Sequence, residues 1–107
     1  MQNDGVHAAA ICFDLHIPQS RSLKAKRAVV RPIVDGLRHR FKVSVAEVDH
    51  HDLWQRAAIG VAVIGESERH VLDVLDSIER FVAATDAEIV GIERSWLGES
   101  ATLGEGW

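Results

Sequence analysis

Asp49, His50, His51 and Asp52 form one run, two imidazoles between two carboxylates. Imidazole and carboxylate are metal ligands, and a histidine can also act as a general base on a ribose hydroxyl. The spacing commits to neither chemistry. Adjacent histidines in a turn point apart, no i, i+4 helical pair supports them, and no second acid or base is fixed. No metal, no cofactor and no catalytic residue is therefore assigned. Just beyond the run, Trp54 and Arg56 pair a flat ring with a guanidinium, a combination that stacks on a base or on a partner's side chain. Trp54 would serve equally to cover the rim of a core.

A second set precedes these. Ser20, Arg21, Ser22 and Lys24 surround the start of a predicted helix, whose free N–H groups and positive dipole end suit a phosphate or carboxylate. Ordinary capping by Ser22 explains the same pattern. The charge continues along the chain. Between Arg21 and Lys42 eight basic residues oppose only Asp35, a local charge of +7, which leaves −11 on the rest of a chain of net charge −4. Such a segment meets a phosphate backbone or an acidic protein surface, or is simply a solvated helix face.

Those residues need a scaffold, and 107 residues supply one domain. The single cysteine, Cys12, excludes an intrachain disulfide and suits a reducing compartment. The apolar run Ala8 to Phe13 is too short to span a bilayer and lacks the basic flank of a leader. No membrane association is expected, and a cytoplasmic location is.

Ile11, Phe13, Leu15 and Ile17 alternate with Cys12, Asp14 and His16, the period of a half-buried strand ended by Pro18. Ser22 caps a helix whose core stripe is Leu23, Val30, Ile33, Val34, Leu37 and Phe41. Lys24, Arg27, Arg31 and Arg38 lie beside the stripe. Pro32 should kink this helix or cost it a hydrogen bond, and Gly36 should weaken it slightly. Strands follow at Val43 to Asp49 and at Trp54 to Ile64. Ser67 caps a second helix built on Val71, Val74, Leu75, Ile78, Phe81 and Val82, and Ala87 to Glu93 is a last strand. This order predicts an α+β fold, a ferredoxin-like βαββαβ domain over residues 6–94, with a four-stranded antiparallel sheet and both helices on one face. Residues 1–5 are read as a flexible terminus and 95–107 as a mobile tail.

Topology brings the chemistry together. Strand three starts where strand one ends, so His16, the start of helix one, and the segment holding Asp49, His50, Asp52, Trp54 and Arg56 share one rim. The sheet's other face carries Ala8, Ala10, Cys12, Gly60 and Ala62. It lacks the exposed aromatics on which RNA-recognition sheets stack bases. A face of small residues suits close approach by a second subunit.

The pieces "LHIPQSRSLKAKRAVV" and "RFKVSVAEVDHHDLWQRAAIGVAVI", with the spacing between them, resemble the YlxP-like proteins, a bacterial family of unknown function. The resemblance covers about residues 6–94 and implies a ferredoxin-like fold. It also implies a setting, since family members are often encoded among translation and ribosome-maturation genes. The family's recurrent positions correspond to His16, Ser22, Leu23, Lys24, Lys26, Arg27, Glu47, Asp49, Asp52, Trp54, Gln55 and Arg56. Ala25 stands where relatives carry an acid that would complete a capping box with Ser22, and Pro32 replaces a residue that suits a helix.

The leading expectation is a binding module for RNA or a ribonucleoprotein, with ribosomal RNA or a ribosomal protein as partner. Arg21, Lys24, Lys26, Arg27 and Arg31 would meet phosphates. His16, Asp49, His50, Asp52, Trp54 and Arg56 would form the rim. The alternatives are a homodimeric protein-interaction module using the open sheet face, and a small metal- or histidine-dependent phosphoesterase.

Overall fold

The computed structural model describes residues 6–97. Six elements succeed one another: β1 His7–His16, α1 Leu23–Phe41, β2 Ser44–Asp49, β3 Arg56–Gly65, α2 Glu68–Ala83 and β4 Glu88–Leu97. The strands pair antiparallel in the order β2-β3-β1-β4. This is the expected ferredoxin-like βαββαβ arrangement. Strand alternation decides which face is covered. Ile11, Phe13 and Leu15 of β1 are fully buried in one cluster with Val30, Ile33 and Leu37 of α1 and Val71, Leu75, Ile78 and Val82 of α2. Both helices therefore pack on the same side, and Ala10 and Ala62 are left exposed on the other.

Local chemistry sets the helix ends. The Ser22 hydroxyl accepts from the Ala25 N–H at 3.0 Å, and that of Ser67 from the His70 N–H at 3.1 Å. Lys42 closes α1 in the left-handed region, φ 55°, and donates its N–H to the Arg38 carbonyl. The helix continues through Pro32. The missing N–H deprives only the Ala28 carbonyl of a helical donor, and Ala28 and Pro32 are both exposed, so water can replace it.

Gly36 does more than weaken α1. A Cβ there would lie 2.7 Å from Phe81 Cζ of α2, and Phe81 packs edge-on against Phe41 at 5.9 Å between ring centres. Gly36→Ala is expected to lower stability by about 1 kcal/mol, because displacing the ring outweighs the better helix propensity. Urea denaturation checks this, and a rise in stability would contradict it.

Two boundaries differ from expectation. β3 begins at Arg56 rather than Trp54, because Gln55 is occupied with the opposite loop. Its carbonyl accepts from the Ile17 N–H at 2.9 Å, and its side-chain amide donates to the carbonyls of Pro18 and Ser20. β4 runs past Arg94 to Leu97, with Ser95, Trp96 and Leu97 paired to Ala10, Ala9 and Ala8. Arg94 anchors that strand to α2, its Nη2 lying 2.9 Å from both Asp76 Oδ1 and Glu79 Oε1. Those carboxylates, Asp76 foremost, push the guanidinium further above its usual value. Strand β4 thus takes in residues 95–97 of the tail expected over 95–107; residues 98–107, and the flexible terminus expected over 1–5, lie outside the described residues. Among the described residues no helix is long and apolar enough to cross a membrane.

Candidate functional site

The rim is assembled from three segments, as the topology required. Register places His16 opposite Arg56. Arg56 and Asp14 share the open face of neighbouring strands, and Arg56 Nη2 reaches Asp14 Oδ2 at 2.6 Å. His50 lies on the other side of Asp14, with Nε2 3.7 Å from Asp14 Oδ1 and Nδ1 4.0 Å from Asp49 Oδ1. His16 turns the opposite way, to Glu88 Oε1 of β4 at 2.9 Å. His51 bends back to the Glu47 carbonyl at 3.1 Å. The two adjacent histidines thus diverge. Among the described residues no three His, Cys, Asp or Glu side chains converge as a metal would require.

Lys26 fastens the rim to α1 from beneath. Its side chain is 2% exposed. The ammonium donates to Glu47 Oε2 at 3.1 Å and to the carbonyls of His50, His51 and Arg56 at 2.8, 3.3 and 3.2 Å. This corrects the expectation that Lys26 meets a phosphate, since its charge is consumed inside the fold. The signal was present in the sequence. Leu23, Lys26, Val30, Ile33 and Leu37 recur at spacings of three and four, so Lys26 occupies a core position of the helix. Glu47 pairs with the core residue Ile59, hence points to the helix side and supplies the countercharge.

The same fastening explains a strained backbone. His50 adopts φ 63°, a region that costs a β-carbon-bearing residue roughly 1–2 kcal/mol. Its carbonyl accepts from both Lys26 Nζ and the Leu53 N–H, and its own N–H donates to Asp49 Oδ1 at 2.7 Å. Those bonds hold the turn in shape. Its outer residues face solvent: Asp52 is exposed, Leu53 is 48% exposed and Trp54 is 55% exposed.

The remaining basic residues keep the expected arrangement. Arg21, Lys24, Arg27 and Arg31 are exposed, and among the described residues none of them meets a carboxylate. Arg38 continues the stripe but donates to the Val45 carbonyl at 2.8 Å and lies 3.8 Å from Asp35. With Gln55 bonded to the Pro18 and Ser20 carbonyls, the loop carrying Arg21 sits beside the segment carrying Trp54.

Cys12 lies on the open face, between Gly60 of β3 and Glu93 of β4. Burial pushes its thiol up, and Glu93, Asp14 and Asp49 add to the rise. A raised folded value favours the neutral thiol. The stability it contributes is present below the ordinary thiol pKa and is lost as pH climbs through the raised one. Alkylation of native protein by iodoacetamide should therefore be slower than in urea at about pH 8.5, with its pH midpoint shifted upward. Coincident midpoints would contradict this environment.

A family model described as protein of unknown function (DUF503) matches residues 9–94. The uncharacterized protein YlxP of Bacillus subtilis (strain 168) is 36% identical, with 61% of this chain and 82% of YlxP covered. A crystal structure of the Bacillus subtilis YXEP protein, a dinuclear metal-binding peptidase of the M20 family, is similar at a TM-score of 0.51 and 13% identity. That match covers 85% of this chain but 25% of the peptidase, and the likeness is one of fold. The family match takes in α1, β2, β3, α2, most of β1 and β4 and the whole rim, so this chain belongs to the DUF503 family of proteins of unknown function.

Proposed function

We propose that this protein is a non-enzymatic binding module that holds an RNA or ribonucleoprotein phosphate backbone along the N-terminal half of α1. One observation carries the reading: Arg21, Lys24, Arg27 and Arg31 stand exposed in a row without countercharges among the described residues. From Lys24 to Arg31 the row spans about 10 Å of helix. Cations left unpaired on an otherwise acidic protein favour a polyanion. Trp54 and Leu53 project at the head of the row and offer stacking or apolar contact. His50 of the turn and Arg56 at the start of β3 both lie against Asp14, so they are not counted among the free cations of this row. The resemblance to proteins encoded beside translation genes directs the choice of ribosomal RNA as probe.

Filter binding of labelled ribosomal RNA at two salt concentrations tests the proposal. Retention at low salt should fall steeply at the higher one, because each phosphate contact releases counterions. Equal, negligible retention in both would remove it.

A further inference from the structure

The open sheet face forms a trough along β1. Register sets its floor and walls. Ala8 lies between Ile64 of β3 and Leu97 of β4, and the next outward residue, Ala10, lies between Ala62 and Ser95. Ile64 is 71% exposed and Leu97 55%. They flank the alanine floor two strand spacings apart, about 10 Å. A hollow of about 640 Å³ lies at this end, with Lys42 at its β2 corner. Further along β1 the floor continues through Cys12 to Asp14, into a second hollow of about 460 Å³ bordered by Asp49, His50 and Glu93, with Val48 standing over Gly60 at its β2 side. Arg56 answers Asp14, but among the described residues Glu93 meets no cation.

We infer that this face docks an amphipathic helix of a partner protein, with large apolar side chains over Ala8, Ala10 and Ala62 and lysine or arginine at the end over Glu93 and Asp49. Two properties select that occupant. A floor of alanines between walls about 10 Å apart accepts the apolar stripe of a helix. The trough turns from apolar to acidic along its length, so the complementary charge is positive at one end only. The exposed side of α1 presents Lys24, Arg27, Ala28 and Arg31 without a large apolar residue, so α1 of a second copy does not supply that stripe. Trough and basic row lie on opposite layers of the fold, so this inference and the RNA reading can fail separately.

Fluorescence anisotropy with a labelled leucine–lysine amphipathic peptide of about 18 residues tests it, against a leucine–glutamate peptide of the same pattern. The lysine peptide should bind saturably and at least about tenfold more tightly, and should slow alkylation of Cys12 on the trough floor. Ala62→Glu should abolish that binding and Glu93→Lys should weaken it, while RNA retention stays unchanged in both variants. Ala62→Glu adds a negative charge, so non-specific adhesion of a cationic peptide would instead increase. Unchanged or tighter binding to Ala62→Glu, equal binding of the two peptides, or absence of binding would overturn the inference. So would sedimentation showing a dimer that Ala62→Glu dissolves, which would assign the face to a second copy.

Discussion

Lys26→Met is expected to cost about 3–5 kcal/mol of folding stability, a large share of the roughly 5–15 kcal/mol that holds a small domain together. Methionine nearly matches the volume, so packing changes little. What is lost is a cation serving four acceptors at once: Glu47 and the carbonyls of His50, His51 and Arg56. The His50 carbonyl keeps the Leu53 N–H, and a carbonyl left without any donor costs about 1–3 kcal/mol in a buried site. Glu47 retains 24% exposure, which lets its orphaned charge reach water and places the result near the lower end of the range. Urea denaturation measures the loss, and a change below about 1 kcal/mol would show that the ammonium is not needed. Adding Glu47→Leu should recover part of it, since an apolar pair replaces a broken ionic one. Amide exchange in residues 50–56 should accelerate in Lys26→Met beyond the global loss, because the turn is tied to α1 through that one group.

The second large effect concerns the polyanion. The triple variant Lys24→Gln, Arg27→Gln, Arg31→Gln should fold normally, because all three side chains are exposed and unpaired. Its affinity for ribosomal RNA should lose about two units of slope in log affinity against log salt, at roughly 0.7 per phosphate contact with a single strand. Variant and native protein should therefore differ most at low salt and converge at high salt. Arg69→Gln, a charge on α2 already near Asp73, should leave the slope unchanged and serves as the control. Parallel salt curves for the triple variant and native protein would exclude phosphate contacts by this row.

The scaffold was readable because its signals are local and periodic. The alternation of Ile11, Phe13 and Leu15, the serines capping both helices and the strand order led to the fold, and strand order alone led to the meeting of three distant segments on one rim. The details that escaped are those in which tertiary context overrides residue type. A lysine among arginines reads as solvated, yet the spacing of Lys26 with Val30 and Ile33 puts it under the sheet edge, where Glu47 awaits it. Trp54 reads as a strand residue by type. Gln55, by bonding the loop after β1, keeps it outside the ladder and exposed. Ser95, Trp96 and Leu97 carry no alternation of their own. They enter the sheet because β1 continues to Ala8 and offers them partners. Extra residues at Val48 and Val90, where the pairing registers shift, depend on the neighbouring strand and leave no mark in their own.

Nuclear magnetic resonance of isotopically labelled protein, titrated with a ribosomal RNA fragment at low salt, most directly examines where a polyanion sits. The amides of residues 21–31 and 50–56 should shift together and return as salt is raised. Shifts confined to the open face around Ala10 and Ala62, or no shift anywhere, would contradict an RNA surface built on α1 and the turn that Lys26 holds.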